Sequence, residues 1–140
     1  MELLARGANF EITAEAGIVR TTVVNRADID RDEGARCAEA INETLTTRVL
    51  VERSAYRGLV FDVSAGPEVF GPKTRASLES LFRAATSARK RMAVRAGSSA
   101  IRRLQFASLC REYAPQHAKI VDDDRDERAW LGGERAAIRT

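Results

Sequence analysis

The chain is poor in the residues on which most enzyme chemistry depends. It has one histidine, His117, two cysteines, Cys37 and Cys110, and three prolines in 140 residues. A lone histidine beside Pro115, with no nucleophile or carboxylate tied to it by a motif, reads as a solvent-facing loop residue rather than a general base. The cysteines are too far apart for a zinc knuckle and sit among small and apolar neighbours. They read as buried free thiols in helices, as expected of a reducing compartment. No glycine-rich phosphate cradle and no nucleophile elbow follow any strand-like stretch. No run of apolar residues approaches the roughly eighteen that a membrane span needs, and MELLARGANFE meets charge too early for a signal peptide. A cytoplasmic protein with no membrane partner is the expectation.

Charge is plentiful but unevenly placed. Residues 1–58 have a balance of −2, residues 59–121 of +7, and the remainder of −2. The basic middle contains Arg83, Arg89, Lys90, Arg91, Arg95, Arg102, Arg103 and Arg111. Aromatic residues are not interleaved with them as single-strand binding requires, so they read as solvated helix faces, and nucleic acid is not the expected partner. Asp122, Asp123, Asp124 and Asp126 lack the alternating spacing and closing glutamate of a calcium loop. They read as the start of a helix.

At this length a single domain buries about two-thirds of its unfolded surface, so the chain needs no disulfide or metal to fold. From Asn9 the sequence alternates strand and helix. FEIT and IVRTTVV read as a hairpin around AEAG, with Gly17 free to take positive φ. Asp30 and Glu33 have capping-box spacing before a helix carrying Ala38, Ile41 and Leu45. TTRVLVERSAYR either extends that helix or covers the end of a sheet. LVFDV lacks alternation, as a strand buried on both faces does. A loop, SAGPEVFGPKT, then leads through Gly71 and Pro72 into a helix whose apolar stripe is Leu78, Leu81, Phe82 and Ala85. MAVRAG is the next strand. Ser98 or Ser99 caps a helix with Ile101, Leu104, Leu109 and Cys110 on its apolar side and Arg102, Arg103 and Arg111 in solvent. AKIVDD is a last strand, and Asp124 with Glu127 caps a short terminal helix anchored by Trp130 and Leu131 and ended by Gly132 and Gly133. The order ββαβαβαβα predicts an α/β fold with a mixed, mostly parallel sheet of about five strands. Residues 1–8 form a lead, 9–131 the domain and 132–140 a loose tail.

The succession of hairpin, capped helix, buried strand ending in Asp62, loop, helix, strand, Ser-capped helix, strand and WL-containing helix resembles the STAS domain of anti-sigma-factor antagonists. LVFDV, SSAIRRLQFASL and RDERAWL carry the resemblance, which extends from Phe10 to Leu131. It implies a non-catalytic regulatory module, without cofactor or metal, whose partner is another protein such as a kinase that doubles as an anti-sigma factor. In that family a Ser or Thr after an Asp in the loop before the second helix is phosphorylated. Here the corresponding FGPKT, Phe70 to Thr74, has no such pair, so the switch is expected to be absent.

The partner-binding residues expected on this basis are Asp62, Ser64, Phe70, Gly71, Lys73, Thr74 and Ser77. Thr74 is the hydroxyl nearest the family's phosphorylated position, and Asp62 reads equally as a loop acid or as the cap of a turn. A small apolar ligand, held in a groove lined by Val69, Phe70 and Phe82, is the alternative function. A homo-oligomer paired through the hairpin edge is compatible with the same sequence.

Overall fold

Alternation of apolar residues builds the sheet from its middle outward. The computed structural model describes residues 1–139, with side chains for residues 1–132. Its strands are β1 (Glu2–Arg6), β2 (Phe10–Glu15), β3 (Ile18–Val24), β4 (Gly58–Ala65), β5 (Arg91–Arg95) and β6 (Ala118–Ile120). The helices are α1 (Arg31–Arg48), α2 (Pro72–Ala88), α3 (Ala100–Tyr113) and α4 (Asp124–Arg139). The six strands lie side by side in sequence order. β1, β2 and β3 are antiparallel, and β3 through β6 are parallel. The chain is therefore a single α/β domain with a mixed sheet.

Strand order decides where the helices go. Each parallel crossover steps in the same direction, and a right-handed crossover then puts every connecting helix on one face. Val19, Leu59, Phe61, Met92 and Val94 supply that face and share a buried core with Ile41 and Leu45 of α1, Leu78, Leu81 and Phe82 of α2, and Phe106 and Leu109 of α3. Arg20, Asp62 and Arg95 alternate with these residues and so point to the opposite face. That face is covered by α4. Glu127 accepts two bonds from Arg20 Nη2, at 2.9 and 2.8 Å, and one from Arg95 Nη1 at 2.9 Å. Trp130 Nε1 donates to the Met92 carbonyl at 3.1 Å, and Arg91 lies over the indole ring at 4.3 Å.

Several expectations change here. There are six strands rather than five, because the residues read as a lead form β1, which pairs with β2 as the sheet edge. Its exposed strand is interrupted between Leu3 and Ala5 by a bulge, a device that blunts a sheet edge. The helix α1 stops at Arg48, and Val49 and Leu50 turn into the core. Residues 46–48 thus extend the helix, and the rest of the stretch is a turn that sends Val49 and Leu50 into the core while Glu52, Arg53, Ala55 and Arg57 stay exposed. β4 runs on to Ala65, so Asp62 and Ser64 lie within a strand. The cap of α4 is Asp123, whose carboxylate accepts from Asp126 N at 2.8 Å, rather than Asp124. α4 passes through Gly132 and Gly133, where an end and a loose tail were expected. A glycine in a helix interior costs only about 1 kcal/mol, which the rest of the helix can offset.

The largest corrections concern charge. Lys90 and Arg102, both read as solvated, are buried. Lys90 Nζ is held by Val49 O at 3.1 Å, Ser54 O at 3.3 Å, Ser54 Oγ at 2.5 Å and Tyr56 O at 2.5 Å. Burial lowers its pKa below that of an ordinary lysine. Arg102 donates to Ala96 O at 3.0 Å and Gly66 O at 2.8 Å. Residues 101 and 104 of α3 point outward instead, and Phe106, Leu109 and Cys110 carry its buried side. His117 is half-buried rather than solvent-facing, and its backbone carbonyl accepts from Met92 N at 2.7 Å.

Candidate functional site

The carboxyl ends of β3 and β4 open between α1 and α2, the end of an α/β sheet at which ligands collect. The connection from β4 to α2, residues 66–71, forms one side of this opening and is tied to α3. Gly66 O takes the Arg102 guanidinium, Glu68 Oε2 takes Ser99 Oγ at 2.5 Å, and Glu68 O takes the Gln105 amide. Phe70 packs on Phe106 with ring centroids 5.9 Å apart. Behind the loop, Gly97 holds φ at +72°, and a Cβ there would stand 3.1–3.2 Å from Ser64, so only glycine lets the two strand ends approach.

Helix α2 begins as its sequence dictates. Pro72 occupies the first turn, where its missing N–H is no loss, and Gly71 is the N-cap in extended geometry, φ −78° and ψ 178°. Glycine brings no capping side chain, and the first turn has no acid. The positive end of the helix dipole is therefore uncompensated by the chain. Arg31 lies against this end, its Cδ 3.4 Å from the point a Gly71 Cβ would occupy. Across the opening Arg26 is forked onto Asp28, at 3.0 and 2.5 Å, and donates to Ala8 O at 2.8 Å. Its guanidinium holds the Asp28 carboxyl below the usual range.

Between α1 and α2 lies a cleft of about 330 Å³. Val23, Phe61 and Val63 of the strands form its floor, and Ile41, Leu78, Leu81 and Phe106 its apolar walls. Asn42 Nδ2 bridges the helices to Ser80 Oγ at 3.2 Å. Asn9 also lines the cleft, and its Oδ1 is buried without a hydrogen-bond partner, as is Asn42 Oδ1.

The residues expected to act together divide between the two faces of the sheet. Phe70, Gly71, Thr74 and Ser77 line the cleft, and Lys73 stands exposed beside it. Ser77 is buried and Thr74 half-buried. Asp62 and Ser64 lie on the α4 face. There Asp62 Oδ1 accepts from Ser64 N at 3.0 Å and Ser64 Oγ at 2.6 Å, while its Oδ2 is 3.7 Å from Arg20. Asp62 thus bonds the backbone two residues on, as the turn-cap reading of it expects, and also borders the α4 ion pairs, which period-two alternation hidden by the apolar run before it did not reveal. Phe82 belongs to the core, and of the three groove residues expected, Val69 and Phe70 line the cleft. Asn9, Arg31 and Phe106 were missed. The proximity of Asp30 to a capped helix start was the available signal for Arg31; the other two have none short of the fold.

Among the described residues, no three His, Cys, Asp or Glu side chains come together as a metal site, and no helix is long and apolar enough to cross a membrane.

No protein-family model matches the chain, and no curated protein matches it. Among solved structures, the chain is similar to the NMR structure of the protein TM1081, with a TM-score of 0.60 and 12% identity over 91% of each chain. At that identity the likeness shows the α/β fold alone.

Proposed function

We propose that the chain is a non-catalytic regulatory module of the cytoplasm that binds another protein through the rim formed by the β4–α2 loop and the first turns of α3. One observation carries the reading. Val69 on the loop is 70% exposed, and Ile101 and Leu104 on α3 are 52% and 73% exposed. The bonds from Ser99 and Gln105 to Glu68 bring the loop and α3 to one rim, so these three large apolar side chains stand around a segment that is itself held in place. Apolar groups grouped on a tethered loop suit protein contact, where rigid presentation lessens the ordering cost of association.

The order of elements, with the loop following the strand that contains Asp62, supports the resemblance to the STAS domain. A regulator of the kinase or anti-sigma type is the partner that this resemblance suggests. The phosphorylation switch is absent from this reading, because FGPKT has no Asp-Ser or Asp-Thr pair. Ser77 is buried, Thr74 faces the cleft from the first turn of α2, and Ser64 Oγ donates to Asp62 on the other face.

The test is capture of a discrete partner from the protein's own cells with the wild type, Leu104→Asp, Val69→Asp, and a Lys73→Ala/Thr74→Ala double variant. Loss of that partner with the two Asp variants is expected, with retention in Arg125→Ala on α4. Equal capture by all of them would remove the rim from consideration. Light scattering of the purified chain separates a second copy of itself from a different partner.

A further inference from the structure

The cleft behind the rim shares only Val69 with the exposed apolar side chains of the docking surface, and it has the construction of a small-ligand site. Its volume of about 330 Å³ falls at the lower end of the ~300–1,000 Å³ range of such pockets. One water takes about 30 Å³ of liquid, and a methylene is of comparable size, so the cleft has room for about ten of either. Its floor and walls are apolar, so water gains little there and an alkyl chain gains much.

The mouth differs in character. The α2 N-terminus has no side-chain cap and no acid in its first turn, and Arg31 lies against it. Among the described residues no carboxylate forms an ion pair with Arg31, whereas Arg26 is taken by Asp28. Asp30 is the one acid lining the cleft, and its Oδ1 is occupied as the α1 cap, accepting from Glu33 N at 2.8 Å. Backbone N–H groups at a helix start, with an adjacent guanidinium, favour an anionic head. A separate observation concerns the interior. Asn9 is only 8% exposed, lines the cleft, and leaves Oδ1 without a donor. Buried amide oxygens are seldom left so, and a ligand O–H or N–H would complete it.

We infer that the cleft binds a medium-chain carboxylic acid carrying a hydroxyl on its chain, with the carboxylate at the α2 N-terminus beside Arg31, the chain among Ile41, Phe61, Leu78 and Phe106, and the hydroxyl donated to Asn9. This goes beyond the docking reading and does not depend on it, since Ile101 and Leu104 lie outside the cleft.

Calorimetry on the full chain with 3-hydroxydecanoate and with decanoate, below their micellar concentrations, tests it. One-to-one saturable binding is expected, several-fold tighter for the hydroxy acid. Arg31→Gln should weaken both about tenfold, and Ala38→Phe, which fills the cleft from α1, should abolish both. Arg31→Gln lies on the surface, so it reports even where Ala38→Phe perturbs folding. Absence of saturable binding, or binding that neither variant changes, overturns the site. Equal affinity for the two acids overturns the role given to Asn9.

Discussion

Replacing Lys90 by methionine isolates the contribution of one buried charge. Lys90 is only 8% exposed; methionine keeps its apolar stem and removes the ammonium, which is surrounded by four oxygen acceptors. Those acceptors fare differently without it. Val49 O retains Ser54 Oγ at 2.7 Å, so that pair stays satisfied. Ser54 O and Tyr56 O lose their side-chain donor, because the single Ser54 hydroxyl hydrogen is already given to Val49 O. An unmet buried acceptor costs about 1–3 kcal/mol, so the two together cost about 2–6 kcal/mol. Release of the lysine from its desolvated position, the same effect that lowers its pKa, returns part of this. A net loss of about 3 kcal/mol follows, or a fall of about 10 °C in Tm for a domain of this size. Urea and thermal unfolding of Lys90→Met should show it with an unchanged urea slope. Arg89→Met removes the same charge from the adjacent exposed position and should stay within about 0.5 kcal/mol of wild type. If Lys90→Met also stays within that limit, the oxygen cage does not hold the turn and the reasoning is wrong.

Two further outcomes follow from the same geometry. Burial pushes the Cys110 thiol up to about 11, and Cys37 is buried as well, so neither should react with Ellman's reagent at pH 8 until the protein is unfolded; rapid reaction of the native protein would contradict the packing of α1 and α3. The hydrogen bond from Arg95 holds the Asp124 carboxyl below its ordinary value of 3.8. A depressed folded-state pKa gives stability that is present above the unfolded value and lost as pH falls through the folded one. The contribution of the Asp124–Arg95 pair to the docking of α4 should therefore hold down to about pH 4 and fade below it, a small loss because Asp124 is exposed. The single tryptophan, Trp130, sits on α4 and reports this by the red shift of its emission. A shift beginning near pH 6 would mean that another group holds the helix.

Local rules recovered those parts of the fold that depend on neighbours in sequence. Asp30 accepts from Glu33 N as its spacing predicts, Gly71 and Pro72 open α2, Ser99 caps α3, and Gly17 takes φ +82° in the hairpin turn. The stripe Leu78, Leu81, Phe82 and Ala85 is buried as expected. What failed depends on distant acceptors. Lys90 and Arg102 are charged and sit at helix ends or surfaces by pattern, but their oxygens come from residues up to forty-one positions away, which no local spacing encodes. With Arg102 turned inward, α3 rotates so that Ile101 and Leu104 face out, and the rim appears where a solvated arginine face was expected. The cleft was legible only in part. Phe70 and Val69 were suggested there by the resemblance, whereas Asn9 and Arg31 enter it from the start of the hairpin and of α1.

The two buried cations act at opposite ends of the parallel strands, and that division bears on function. Lys90 gathers the turn at residues 49–56 at the end where β4 and β5 begin, far from the cleft. Arg102 joins Gly66 and Ala96 at the end where they finish, and Ser99 and Gln105 extend the same attachment to Glu68. The β4–α2 loop is consequently fastened to α3 and its N-cap through Arg102, Ser99 and Gln105. Val69 belongs to both proposed sites, exposed on the rim and lining the cleft, and Phe70 beside it packs on Phe106, which the cleft also shares. A ligand in the cleft that touches Val69 and Phe70 biases how this tethered loop presents Val69 to a partner docking from outside. Linkage makes the effect reciprocal, so a partner bound to the rim changes the cleft's affinity for its ligand by the same factor. Helix α4, on the other face, is outside this connection, and loosening it by acid should leave the coupling between rim and cleft in place until the sheet itself unfolds.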